Sequence, residues 1–233
     1  MEIRRSASRG HANHGWLDSY HSFSFNRYYD PARMEFSVLR VINEDVIAPA
    51  RGFGMHPHQN MEIITYMLSG ELAHQDSLGN GSVIKAGDVQ RMTAGTGIVH
   101  AEMNSSQTEE AFLLQIWLMP AENGLTPSYE DKHIDASRKL NRWCLIASQD
   151  ARDDSLLIHQ DVNLWATYLK TNQLLDYQAS QGRSAYLQLA RGRLRVNGEL
   201  LEQGDAIALE ASIDLSLNAE MDAEVLLFDL PKV

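Results

Sequence analysis

Four side chains in this 233-residue sequence have the type and spacing to hold a metal ion. His56 and His58 stand two apart in GFGMHPHQNMEIITYMLSG, and His100 and Glu102 stand two apart in AGTGIVHAEMN. Side chains on a β-strand alternate between faces, so a two-residue step keeps both members of a pair on one face. Two such strands laid side by side aim three imidazoles and one carboxylate at a single point. Neutral imidazole and carboxylate together suit iron, manganese, nickel, cobalt, copper or zinc, and no thiolate biases the choice. Four protein ligands would close a tetrahedral structural zinc site, whereas an ion preferring six positions keeps two open for water, substrate or O₂. One His-x-His pair in a β protein is more often surface or hydrogen-bonded core. Two pairs at the same step, each in a glycine-bearing stretch, reverse that reading.

The neighbouring residues fit a working site. Gly95 and Gly97 permit tight turning and close backbone approach just before His100. Pro57, between the first two histidines, cannot donate to a sheet ladder and so points to an edge or bulged strand. Bulges commonly re-aim side chains at active sites. Glu62 follows His58 by four residues on the same side of an extended strand. It is open as a ligand replacing or supplementing Glu102, as a salt-bridge partner, or, as favoured here, as an acceptor orienting a ligating imidazole through its other N–H. The remaining histidines lack a paired pattern. His11, His14 and His21 lie in RGHANHGWLDSYHSFSF and read as structural, although this aromatic stretch is a candidate cover for a pocket. His74, His133 and His159 read as solvated or hydrogen-bonded.

Strand-length apolar runs recur along the chain: FSVLRVI, MEIITYML, AFLLQIWLM, NLWATYL, SAYLQLA, DAIAL and AEVLLFDL. Each is rich in β-branched or aromatic residues and bounded by Gly, Asn, Asp or Pro. Helical periodicity is scarce; the charged stretch from Tyr129 to Leu140 reads as a connector or one short helix. The expectation is an all-β protein built as sandwiches or barrels. The halves also resemble each other. TYMLSGELAHQDSLGN leading to IKAGDVQRMTAG parallels LQLARGRLRVNG leading to LEQGDAIALEA, with Gly70 matching Gly192 and Gly87-Asp88 matching Gly204-Asp205. This is read as two copies of one β-fold, divided into residues 1–135 and 136–233. Setting Gly192 on Gly70 places Gln178 and Ser180 where His56 and His58 stand, and the last histidine in the chain is His159. The second copy therefore lacks a His-rich site.

Composition narrows the function. Hydrophobic residues make up 44% and charged residues 22%, ordinary for a soluble globular chain. A net charge of -11 without a run of Lys or Arg excludes a simple phosphate-tracking surface, so no direct nucleic-acid contact is expected. Cys144 is the lone cysteine, which rules out an intrachain disulfide and reads as a small buried hydrophobe. The opening MEIRRSASRGHANHGW lacks the apolar core of a signal peptide, and no stretch approaches the roughly 18 apolar residues of a membrane span. The expected location is the cytoplasm, without membrane contact.

These residues carry a family resemblance. Gly54 to Gly70, with H-P-H and Glu62, resembles the first cupin motif, and Gly87 through Asn104, with His100, resembles the second. More specifically, HANHGWLDSYHSFSF, FSVLRVINEDVI, GFGMHPHQNMEIITYMLSGEL, MTAGTGIVHAE and the terminal LLFDLP resemble the pirin family over nearly the whole chain. The resemblance implies two tandem cupin barrels (double-stranded β-helix or jelly roll) with few short helices and one divalent transition metal, Fe(II) foremost, in the N-terminal barrel. It places the ligands on His56, His58, His100 and Glu102, whereas the general cupin pattern would use Glu62. Gln59-Asn60-Met61 stands where many members carry a basic residue and then glycine, a departure at the pocket entrance. The implied activity is quercetin 2,3-dioxygenase: O₂ opens a flavonol ring with loss of carbon monoxide, Glu102 taking the 3-hydroxyl proton and Phe53, Met55, Ile64 and Met92 lining the pocket. The resemblance also permits a metal-dependent regulatory module that senses the redox state of iron and binds a protein partner. A purely structural metal is the third reading.

Overall fold

A computed structural model of the chain describes residues 1–210 and 213–232. The apolar runs fall on strands, which build two tandem cupin barrels. The first barrel has two sheets. Its seven-stranded sheet runs in the order Ser128–His133, Asp88–Thr93, Glu62–Ser69, Ala111–Leu118, Leu39–Ile47, Leu17–His21, Gly10–Asn13. Its four-stranded sheet runs Gly52–His58, Ile98–Met103, Glu71–Asp76, Gly81–Lys85. The second barrel is woven from one nine-stranded sheet dominated by the long strands Arg183–Val196 and Asp214–Pro231. Glu2–Arg4 crosses over to pair with Ala206–Ala208, so the chain's first strand belongs to the second barrel's sheet.

The stretch from Tyr129 to Leu140 departs from the expected connector. Ser128–His133 is a strand whose register sets Glu130 opposite Arg91, with 3.2 Å between carboxylate and guanidinium. Cross-strand charge pairs of this kind favour extended pairing over a helix. Only Ala136–Lys139 is α-helical, capped by Asp135, whose Oδ1 accepts from the Ser137 N–H at 2.7 Å.

The duplication is visible at its corners. Gly70 has φ +74° and Gly192 φ +90°. A Cβ on Gly70 would meet Glu110 O at 2.3 Å and Ala111 Cα at 2.8 Å; one on Gly192 would meet Asp222 O at 2.0 Å and Ala223 Cα at 2.8 Å. Both corners thus need a residue that tolerates positive φ and leaves no side chain in the way of the neighbouring strand. The strand registers correct the sequence alignment between these corners. From the corner match His74 corresponds to Val196; His74 lies opposite Glu102 and Val196 opposite Leu217, so His100 corresponds to Leu215. His56 lies opposite His100 and Tyr177 opposite Leu215, so the counterparts of His56 and His58 are Tyr177 and Ala179, not Gln178 and Ser180. Twelve residues separate His58 from Gly70 but thirteen separate Ala179 from Gly192, an offset that a gap-free alignment misplaces.

One apolar core runs through both barrels, from Phe23, Ile42 and Ile116 to Ile146, Tyr186 and Phe228. Cys144 is buried in it, as expected. A second core of Leu187, Ile207, Leu217 and Leu227 fills the interior of the second barrel. Among the described residues no helix is long and apolar enough to cross a membrane.

Candidate metal centre

Gly52–His58 is an edge strand of the four-stranded sheet, as Pro57 requires, and its one hydrogen-bonded neighbour is Ile98–Met103. The antiparallel register brings His56 opposite His100 and His58 opposite Ile98. A bulge between His100 and Glu102 slips the pairing there, setting Glu102 opposite Phe53. On the far side of the same strand, His100 pairs with Asp76 and Glu102 with His74. The approach to this strand relies on Gly95 (φ +47°), where a Cβ would lie 1.9 Å from Leu125 O.

Three imidazoles converge as the spacing implies. Ring centroids of His56 and His100 are 4.4 Å apart, those of His56 and His58 4.7 Å, and those of His58 and His100 4.9 Å. Their nitrogen donors all lie within 4.8 Å of one another. The Nε2 atoms of His56 and His100 approach to 3.1 Å. His56 Nδ1–H donates to Gly54 O at 2.8 Å, which leaves Nε2 bare and turned toward the cluster. Burial, then the neighbouring imidazole charge, pushes His58 down to about 4 and His100 down to about 3. Two of the three are therefore already in the neutral form that ligates a metal. Three facing imidazole nitrogens beside a carboxylate are the donor set a borderline divalent cation takes, and the residues present fit such an ion.

Glu102 is buried, and its carboxylate accepts three hydrogen bonds: Thr65 Oγ1 donates to Oε1 at 3.2 Å, Gln90 Nε2 to Oε1 at 2.6 Å and Gln115 Nε2 to Oε2 at 2.9 Å. Burial pushes its carboxyl above the usual range, opposed by His74 and by these donors. It meets the cluster through His100, in a group with His74 whose ligand atoms also fall within 4.8 Å of one another.

Of the two readings of His74, solvated or hydrogen-bonded, the structure bears out the second, and it brings this histidine to the site, which its spacing did not indicate. It is buried, 3.1 Å from Asp76 Oδ2, and stacked on Tyr129 at 4.3 Å. The pairing of His74 with Glu102 comes from a strand neighbour distant in sequence, which spacing alone does not reveal. Glu62 takes the salt-bridge role instead of orienting a ligating imidazole. Its carboxylate accepts from Thr93 Oγ1 at 3.1 Å and from the His159 N–H at 3.2 Å, with His159 Nδ1 at 3.5 Å. The strand turns at Asn60, φ +51°, and this break resets the alternation that would have put Glu62 beside His58. Asn60 also shows how the Gln59-Asn60-Met61 departure is accommodated: it adopts the left-handed conformation open to Asn, and its Oδ1 accepts from Gly124 N at 2.8 Å.

The cluster forms one wall of a cavity of about 570 Å³. Trp16, Phe25, Phe53 and Trp117 supply aromatic surface, so the aromatic N-terminal stretch does cover a pocket. Of the four residues expected as lining, only Phe53 is there; Met55 is 58% exposed, and Ile64 and Met92 point into separate cores. Facing the cavity is a polar wall. Ser19 Oγ donates to Asp45, and His21 Nδ1 is 2.8 Å from Asn43 Oδ1. Burial pushes Asp45 up to about 7 despite the Ser19 hydroxyl.

A tandem-barrel cupin with one histidine-bearing barrel and one barrel filled by leucine is the class that fold and site define. Residues 2–118 match the family described as Pirin, and residues 145–230 match a family described as quercetinase C-terminal cupin domain. The chain belongs to the pirin family and is an enzyme. Quercetin 2,3-dioxygenase of Escherichia coli (strain K12) is 49% identical over 99% of each chain. A pirin-like protein of Caulobacter vibrioides is 41% identical over 94% of this chain and 95% of that one. Among solved structures, bacterial pirin YhhW from Escherichia coli in complex with nickel(II) superposes with a TM-score of 0.95 at 48% identity, covering 100% of this chain and 99% of the other.

Proposed function

We propose that this protein is a cytoplasmic, metal-dependent quercetin 2,3-dioxygenase, with His56, His58, His100 and Glu102 holding one divalent transition metal, Fe(II) foremost. The observation that carries the reading is the convergence of three imidazoles on the wall of an aromatic cavity large enough for a three-ring substrate. The substrates would be a flavonol and O₂; oxygen adds at ring carbons C2 and C4, C3 leaves as carbon monoxide, and a depside remains. When bound, the cation supplies Lewis acidity to a hydroxyl oxygen of the substrate. Trp16, Phe25, Phe53 and Trp117 sandwich the planar rings and exclude water. Ser19–Asp45 and His21–Asn43 offer donors and acceptors to ring hydroxyls. Glu102, loosened from the cation, would accept the 3-hydroxyl proton on the one acceptor direction its three donors leave open, a task helped by burial, which raises its carboxyl.

We place the division between the barrels at residues 135 and 136, between the last strand of the first barrel and the Ala136–Lys139 helix. The relatives named quercetin 2,3-dioxygenase support the flavonol reading, and the nickel(II) complex of the similar Escherichia coli pirin supports a transition-metal site. Anaerobically Fe(II)-loaded protein mixed with quercetin and O₂ should consume the flavonol absorbance and release carbon monoxide in equal amounts. Metal-loaded protein that leaves quercetin intact refutes the proposal.

A further inference from the structure

A row of polar side chains crosses the middle of the seven-stranded sheet. Thr65 pairs with Gln90 on one side and Gln115 on the other; Gln115 pairs with Asn43, and Asn43 with His21. Directly paired residues share a face, so these five adjacent strands carry one continuous row. All five residues are buried. Burying so many polar groups in a barrel costs free energy unless each finds a partner. Three of them find the same one, Glu102. Gln90 Nε2 also donates to Thr65 Oγ1 at 3.0 Å, and Tyr129 OH donates to Gln90 Oε1 at 3.1 Å, which fixes which end of the Gln90 amide faces the carboxylate.

The chain holds its own control. In the second barrel Leu187 pairs with Ile207 on one side and Leu227 on the other, Leu227 pairs with Trp165, and Trp165 with Leu145. The equivalent row is wholly apolar. His74 and Val196 each stand four residues past their corner glycine; His74 pairs with Glu102 and Val196 with Leu217, so Glu102 corresponds to Leu217. Where the carboxylate is absent, every donor to it is absent too. The fold itself therefore has no need of amides or a hydroxyl at these positions.

The geometry points to Thr65, Gln90 and Gln115 as positioning residues that hold the Glu102 carboxylate in the one orientation in which it can ligate beside His100. Three donors use three of about four acceptor directions on a carboxylate, which leaves one, on Oε2, for a cation. This inference rests on Glu102 being the fourth ligand. Methionine is nearly isosteric with glutamine and lacks the N–H, so Gln90→Met, Gln115→Met and their combination remove donors while keeping volume. Cobalt(II) affinity, measured by chelator competition, should fall about 10- to 100-fold in the double variant. Its cobalt(II) visible absorption spectrum should shift to match that of Glu102→Ala. Thr65→Ser should retain the native affinity and spectrum while Thr65→Val loses both, a comparison that stands even if the double variant folds poorly. Native values in the double variant and in Thr65→Val, with both values altered in Glu102→Ala, overturn the inference. Native values in Glu102→Ala overturn the ligand assignment beneath it.

Discussion

Replacing Lys139 with methionine tests whether a buried charge joins the two barrels as well as their shared core. Lys139 ends the helix between the barrels, and its Nζ lies 2.6 Å from both Glu224 Oε1 and Tyr66 OH. Tyr66, on a first-barrel strand, donates to the same Glu224 oxygen at 2.6 Å, and Glu224 lies on a second-barrel strand. Burial and the Glu224 charge push the Tyr66 phenol well up, so it remains a donor across the working pH range. The Lys139 and Glu224 side chains are only 8% and 9% exposed, so solvent does little to screen the pair. Removing one member of a pair buried this deeply costs about 3–5 kcal/mol, because the other charge is stranded. A chain of this length loses about 2–4 °C in Tm per kcal/mol, so Lys139→Met should lower Tm by roughly 6–20 °C. Combining it with Glu224→Leu and Tyr66→Phe removes all three polar ends together and should recover most of the loss, since hydrocarbon can replace a buried pair at little cost. Thermal and urea unfolding of the metal-free protein at pH 7, followed by circular dichroism, reads both effects. A single substitution costing less than about 1 kcal/mol, or a triple variant no more stable than Lys139→Met, refutes the reasoning.

Two further outcomes follow from the site. Asp45 has its carboxyl pushed up to about 7 by burial, so the fold favours its protonated form. That stabilisation is complete below the unfolded value of about 4 and is lost as pH rises through about 7. In metal-free protein, Asp45→Asn should therefore gain stability relative to the native chain between pH 5 and pH 8, by at most about 4 kcal/mol; identical stability profiles would contradict this. Nickel(II) at about 100 times its Kd should stabilise the native protein by about 2.7 kcal/mol, which is roughly 5–11 °C in Tm. His100→Ala should abolish that increment, because His100 belongs to both groups of ligand-type atoms. An undiminished rise in His100→Ala would put the metal elsewhere.

The clustered histidines were legible because strand alternation is local: a two-residue step and a glycine-rich approach are written in ten residues of sequence. The barrel duplication was legible for the same reason, through corner glycines at matching places. Residues brought in by register were not. His74 and Tyr129 reach the site across strand pairings that link distant parts of the chain, and no spacing rule encodes which strands become neighbours. Glu62 was misplaced because a single turn at Asn60 shifts the alternation by which its side was judged. Yet one signal lay in plain view. Gln115 is the lone polar residue in AFLLQIWLM, and Thr65 is the lone hydroxyl inside IITYML before its tyrosine. A polar residue embedded in a buried strand is costly enough to mark a partner, even before the partner is known.

The same cost explains why one barrel needs the other. Leu187, Ile207 and Leu227 are fully buried in the second barrel, and each such side chain contributes about 1.5–3 kcal/mol by leaving water. Thr65, Gln90 and Gln115 occupy the matching places in the first barrel, where hydrogen bonds to Glu102 mainly offset desolvation instead of adding to it. The metal barrel also keeps a cavity of about 570 Å³ open where its sibling is packed with side chains. A barrel hollowed and polar in this way has given up much of the burial that would stabilise it alone. The continuous core through Tyr186 and Phe228, the crossover of Glu2–Arg4 and the Lys139–Glu224–Tyr66 joint tie it to the barrel that gave up none. A second barrel filled with apolar side chains therefore serves the first: the apolar copy supplies stability that the hollow, polar copy cannot.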